Sequence, residues 1–214
     1  MKKLIVVYFV IALFADAKAD SIPLFRISME PQYLITNCMK NGFEYRLKEN
    51  EWLSINTRMI MKEKDLSGSY FNYGSVSLLR VWGAGLDIGY RKYIPMKATG
   101  SNEYFIGFTA GYTYCEPVYY RYMWLDYQQD GLNYLTYALG EDRRMIHQPK
   151  AELVLGFHFI PVKGMFIDLY SGGGIKYSFF DKYKGDPRTL YNNYWSYGYS
   201  GTYLLMNFRI GVEW

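Results

Sequence analysis

His158 and Asp168 are the pair in this sequence most like catalytic machinery. If a turn centres on Lys163, the two residues stand directly opposite each other on adjacent strands, side chains on the same face. A histidine held by a carboxylate is the base-and-orienter half of a nucleophilic triad. The third member is missing: Ser171 falls on the opposite parity, and no other nucleophile lies close in sequence. The expected role is a structural hydrogen bond, and no catalytic residue is assigned. His147, just before Pro149, has no His-x-Ser partner that would support a lipid deacylase. With only two histidines and no His or Cys placed to share a site, no metal and no cofactor are expected. Cys38 and Cys115 leave both a disulfide and two free thiols open. The glycine runs "GAGLDIG" and "SGGGIKYS" lack the strand-turn-helix setting of a nucleotide loop. Glycine at alternate positions instead makes room for long side chains on one face of a strand.

The elements that would position His158 and Asp168 alternate with period two. In "KAELVLGFHF", Leu153, Leu155, Phe157 and Phe159 oppose Lys150, Glu152 and His158. In "MFIDLYSGGGIKYSFF", Ile167, Leu169, Ile175 and Phe179 oppose Asp168, Tyr170 and Lys176. The same rule holds in "GFEYRL", "WLSINTRMIM", "WGAGLDIGYRKY" and "EYFIGFTAGYTY", and in "LFRISMEPQYLI", where Phe25, Ile27, Met29 and Tyr33 oppose Arg26, Ser28, Glu30 and Gln32. The C-terminal "TYLLMNFRIGVEW" sets Leu204, Met206, Phe208, Ile210, Val212 and Trp214 against Asn207, Arg209 and Glu213. Eight strands with one greasy and one polar face result. A strand of a soluble sandwich could carry this pattern, and so could one facing lipid outside and a polar lumen inside.

Three further features choose between them. The first nineteen residues, "MKKLIVVYFVIALFADAKA", combine Lys2 and Lys3 with an apolar run and an Ala17-Lys18-Ala19 cleavage site. They read as a signal peptide cleaved after Ala19, leaving residues 20–214 as one domain. Connections alternate between short (Lys48–Glu51, Pro95–Asn102, Val162–Gly164) and long (Lys62–Gly74, Leu125–Arg144, Asp181–Gly201), as they do across an outer membrane. Aromatic residues make up 20% of the chain, with twenty-four tyrosines. Trp52, Tyr93, Tyr104 and Trp214 are expected to form a girdle at the short-turn interface. Loss of the leader takes the net charge from +4 to +2, so nothing points to nucleic acid.

On this parity the inward face carries Arg26, Arg46, Arg58, Arg91, Lys150, Lys176 and Arg209 against Glu30, Glu44, Asp87, Glu152, Asp168 and Glu213. In a narrow barrel these must pair, giving a salt-bridged plug rather than an ion pathway lined by one sign of charge.

With its signal peptide, alternating segments and terminal "LLMNFRIGVEW", the chain resembles small outer-membrane β-barrel proteins of the outer-membrane protein A and X groups. The fold expected is all-β, a monomeric transmembrane antiparallel up-and-down barrel of eight strands. The resemblance implies outer-membrane lipids as surroundings and the barrel assembly machinery as a partner, engaged through the strand ending at Trp214. Many such proteins end on Phe; the aromatic character is kept here. The best candidates for contact with an unknown extracellular ligand are Tyr119, Tyr120, Tyr122, Trp124, Tyr127, Tyr194, Trp195 and Tyr197. Tyr and Trp amid Asn, Gly and Ser suit recognition; equally, strands could run past the membrane with their aromatics packed on each other. The expected function is structural or a surface interaction through these segments. The alternatives are a small channel or carrier for small or hydrophobic molecules, and an outer-membrane lipid-modifying enzyme.

Overall fold

The computed structural model describes residues 23–63, 77–95, 102–180 and 197–214. Strands run β1 Phe25–Met29, β2 Cys38–Lys48, β3 Glu51–Glu63, β4 Ser77–Pro95, β5 Glu103–Gln129, β6 Leu132–Arg143, β7 Ile146–Val162, β8 Met165–Lys176, β9 Phe179–Phe180 and β10 Gly201–Glu213, with one helical turn, α1 (Gln32–Ile35), after β1. Every pairing is antiparallel. β1, β2, β3, β4, β5, β7, β8 and β10 join neighbour to neighbour, and β10 returns to β1, so eight strands close a ring. β6 and the two-residue β9 stand outside it, on β5 and β7 respectively.

The alternation in sequence becomes inside and outside. Ile88, Phe108, Leu155, Leu169 and Leu204 are exposed on the outer wall, while Glu44, Ser54, Asp87, His158 and Arg209 are buried within. Inward glycines do make the room expected of them: a Cβ on Gly111 would meet the Asp87 carboxylate, and one on Gly156 would meet the Phe105 ring.

Three expectations need correction. β1 does not continue to Ile35. Pro31 supplies no N–H for a ladder, and the chain turns into α1, which carries Tyr33 inward, where its ring sits 5.3 Å from the Lys40 ammonium. Trp52 and Tyr93 are not girdle residues. Each is 2% exposed and shares the parity of Ser54 and Arg91, so both point into the barrel; Tyr104 and Trp214 remain on the outside. The Leu125–Arg144 connection is a hairpin: β5 runs for 27 residues and turns at Asp130-Gly131, both with positive φ, into β6. Asp-Gly is favoured there because a two-residue hairpin turn of the primed type needs φ above zero at both positions.

Closure is uneven. β1 has five residues and meets β10 only from Arg26↔Glu213 to Met29↔Ile210, with Trp214 N–H donating to the Phe25 carbonyl (3.1 Å) just below. The alternation of the ladder then aims the backbone groups of Phe208 and Met206 at this seam, where no described strand pairs with them. Tyr33 bridges the gap from inside, its hydroxyl accepting from Asn207 Nδ2 at 3.3 Å.

Candidate functional site: a filled lumen beneath an aromatic hairpin

His158 and Asp168 face each other in register, as the turn at Lys163-Gly164 requires. Nδ1 of His158 lies 2.5 Å from Asp168 Oδ1, and Arg26 donates to Nε2 at 3.3 Å. A proton on Nδ1 satisfies both contacts, which leaves the ring no lone pair for a substrate. Both residues are fully buried. Arg26 stacks 3.9 Å above the Trp52 ring and pairs with Glu213 at 2.8 Å.

Asp168 belongs to a larger network. Arg209 is fully shielded from solvent; it donates to both Glu44 oxygens (2.8 and 3.0 Å), to Asp168, and to the Tyr93 hydroxyl (3.2 Å). Arg91 reaches Glu44 and Asp168 at 3.3 Å each. Two guanidiniums and two carboxylates therefore share one buried site, the arrangement that repays desolvation best. Elsewhere in the lumen Lys150 joins Asp87 (2.9 Å) to Glu152 (2.8 Å), Tyr203 donates to Glu152, and Lys40 pairs with Glu30 at 2.7 Å. Lys40 is an inward charge that the sequence reading missed, although it lies on the parity of Gly42 and Glu44. Arg46 sits at the short-turn rim instead, where it donates to backbone carbonyls of Lys48 (3.1 Å) and Glu49.

Across the other end, one row of the sheet brings Cys38, Ile60, Gly83, Cys115 and Ile146 side by side. With Val81 these form an apolar layer, packed by Tyr33, Leu78, Phe180 and Tyr197. Cys38 and Cys115 are free thiols within it. Tyr197, expected among the ligand-contacting aromatics, is half-buried against this layer, and burial raises its phenol above the usual value. Among the described residues, no three His, Cys, Asp or Glu side chains gather as metal ligands.

Beyond that layer the hairpin of β5 and β6 projects. From Val118 to Gln129 it extends about 36 Å along the strand. Ion pairs brace its base: Arg121 and Arg144 both hold Asp142 (2.9 and 2.6 Å), Arg143 holds Glu116 (2.9 Å), and Arg80 holds Glu141 (3.2 Å). Its outer part is aromatic. Trp124 and Tyr122 pack on Tyr137 from the facing strand, at 5.3 and 5.8 Å between ring centroids, while Tyr127 pairs with Tyr134 on the other face. Trp124 is 65% exposed. Tyr119 and Tyr120 lie at the base, opposite Asp142 and Glu141. Tyr194 and Trp195 lie outside the described residues. Tyr134, Leu135 and Tyr137 were missed by sequence reasoning; Asp130-Gly131 was the signal that would have placed them on a second strand.

The outer wall has a matching polarity profile. Its apolar rows run on β5 from Tyr104 to Tyr114, a rise of about 25 Å for a strand tilted about 40°, close to the height of an outer-membrane barrel's lipid-facing band. Aromatic residues mark both edges: Tyr104 with Phe157 below (5.7 Å), and Trp82, Tyr114 and His147 above (5.4 and 5.2 Å to Tyr114). An apolar exterior around a charged, filled interior defines a small transmembrane-type β-barrel.

No protein-family model matches the chain, and neither does any curated protein. The solved structures similar to it include three of low identity. They are the N-terminal β-barrel domain of Pseudomonas aeruginosa OprF (7% identity, 89% of this chain and 96% of that one, TM-score 0.41), CarO from Acinetobacter baumannii (10%, 90% and 98%, 0.41) and a major outer membrane protein from Thermus thermophilus (12%, 89% and 99%, 0.38).

Proposed function

We propose that the chain is an integral outer-membrane barrel, exported by its leader, whose task is non-enzymatic: it presents the β5–β6 hairpin as a contact surface outside the cell. One observation carries this reading. β5 continues as a single strand far past the apolar wall and displays Trp124, Tyr127, Tyr134 and Tyr137 there. Large rigid aromatics give contact area at low entropic cost. The barrel below acts as the anchor, and its assembly is read from the strand ending at Trp214. The arrangement around His158 favours a structural role over hydrolysis, since Arg26 occupies its second ring nitrogen.

The test needs no knowledge of the ligand. Residues 121–140 are replaced by an Asn-Gly turn, and the shortened chain is returned to cells lacking the protein. It should reach the outer membrane and shift on heating in gels, yet behave as the null strain in settling, surface adherence and detergent-sensitivity assays. Full rescue of the null strain by the shortened chain would overturn the proposal.

A further inference from the structure

The two faces of the β5–β6 ribbon differ in chemistry. Residues directly opposite each other across an antiparallel pair share a face. Tyr122 with Leu139, Trp124 with Tyr137, Asp126 with Leu135 and Gln128 with Asn133 therefore lie on one face, in that order from base to tip. Nearer the base this face is aromatic: the Tyr122 and Tyr137 rings stack within 24° of parallel, and Trp124 packs beside Tyr137. Nearer the tip it is planar and polar, with the Asp126 carboxylate and the amides of Gln128 and Asn133. Trp124, Asp126, Gln128, Asn133, Leu135 and Tyr137 are all exposed. Among the described residues, no side chain takes up the hydrogen-bonding groups of Asp126, Gln128 or Asn133.

Size and chemistry select among partner classes. From Tyr122 to Gln128 the face is a strip about 20 Å long and about 10 Å wide. Its footprint is on the order of a quarter of the area per partner in a stable protein complex, about 800 Å². A lipid tail on this strip would strip water from Asp126, Gln128 and Asn133 and give nothing back, which is costly. An extended peptide pairs with the edge of a sheet, where the backbone groups point, rather than with its face. A sugar ring matches both halves of the strip. One side of a pyranose is an array of C–H groups with partial positive charge, which settles on the negative face of a Tyr or Trp ring. Its rim carries neighbouring hydroxyls, donors and acceptors at once, which carboxylate and amide side chains meet in pairs.

We infer that this face of the hairpin binds a glycan chain, with sugar rings seated on Trp124 and Tyr137 and the hydroxyls of the adjoining unit bonded by Asp126, Gln128 and Asn133. The inference rests on the reading of the hairpin as a contact surface, and it names the class of molecule contacted. Trp124, 65% exposed, is the anchor. The ion pairs of Arg121 with Asp142 and of Arg80 with Glu141 fix the base of the ribbon, so the strip is set before a ligand arrives and little ordering cost remains.

The test places the full chain in phospholipid nanodiscs carrying a fluorescent lipid and overlays it on an array of immobilised neutral and acidic oligosaccharides, with empty discs as the blank. Bound oligosaccharides are then titrated in solution. Wild type should bind a set that shares one sugar unit or linkage. Trp124→Ala and Tyr137→Ala should each weaken that binding at least about tenfold, the loss typical of an aromatic anchor. Asp126→Ala should weaken it less, and Met123→Ala, on the opposite face, should bind as wild type does. Each variant is checked for folding by its heat shift on gels; should Trp124→Ala fail that check, Tyr137→Ala and Asp126→Ala carry the comparison. A folded wild type that binds no oligosaccharide would overturn the inference, as would binding that survives Trp124→Ala, Tyr137→Ala and Asp126→Ala alike. Adherence of cells carrying the same variants separates this outcome from the wider reading. No glycan bound, with adherence still lost in Trp124→Ala, overturns the glycan and leaves the contact surface standing; no glycan bound, with adherence intact in the shortened chain, overturns both.

Discussion

Replacing Arg209 by Met tests whether the lumen is held by its charge network or merely filled. The methionine keeps most of the stem's volume and removes the guanidinium that bonds Glu44, Asp168 and the Tyr93 hydroxyl. Among the described residues, Glu44 and Asp168 then share the Arg91 guanidinium, at 3.3 Å from each. Breaking one partner out of a fully buried pair costs about 3–5 kcal/mol, because the remaining charge stays desolvated. Arg209→Met/Glu44→Leu removes one of the stranded carboxylates. The double variant should therefore be more stable than the sum of the single losses by about 1–3 kcal/mol, the range for residues in one network. Arg209→Lys keeps the charge without the planar fork and should fall between wild type and Met. The assay is urea unfolding of the chain refolded into phospholipid vesicles, followed by tryptophan fluorescence and by gel mobility without heating. An unfolding midpoint unchanged in Arg209→Met, or strict additivity in the double variant, would refute the reasoning.

The chain should fractionate with outer membranes and migrate differently before and after boiling; recovery as a soluble periplasmic protein with a single mobility would contradict this. In planar bilayers the purified protein should give no large, stable openings, since the charged side chains of the lumen pair with one another beneath an apolar layer. Met206→Arg, on the outer wall near mid-depth, should cost about 2–4 kcal/mol in the vesicle assay, and Glu213→Gln, which keeps a hydrogen-bond acceptor for Arg26, clearly less. Trp214→Ala should lower the amount reaching the outer membrane in cells yet refold normally into detergent; equal loss in both settings would make the residue structural only.

Parity made most of the barrel legible. Once alternate residues were assigned to lipid and lumen, the facing of His158 and Asp168 followed from one turn, and the ring of eight followed from the strand count. Parity failed where a girdle was assumed. Trp52 and Tyr93 share the parity of Ser54 and Arg91, yet their ring chemistry suggested an interface; the lumen takes them because Arg26 needs a π-face beside it. It failed again at Pro31, a breaker inside an otherwise regular run. The hairpin was hidden because aromatic-rich, weakly alternating stretches read as loop until Asp130-Gly131 is given its weight. The different demands on the β8 glycines were not legible at all. Gly172, Gly173 and Gly174 are identical letters, and only three-dimensional surroundings separate the two that packing demands from the one that it does not.

The short β1 gives the ring a clasp. Most strands of the wall are joined to their neighbours along most of the barrel's height, whereas the five-residue β1 pairs with β2 and with the 13-residue β10 along only a few rungs, above which no described strand pairs with β10 at Met206 and Phe208. A ring with one short strand parts at a known place. Amide exchange at Met206 and Phe208 is expected to outpace that of any buried rung on β4 or β5, because local opening starts where the fewest bonds must break. The same weakness gives the cylinder a direction around its circumference: it loosens between β10 and α1 and stays stiff at β4 and at β5, which carries the hairpin.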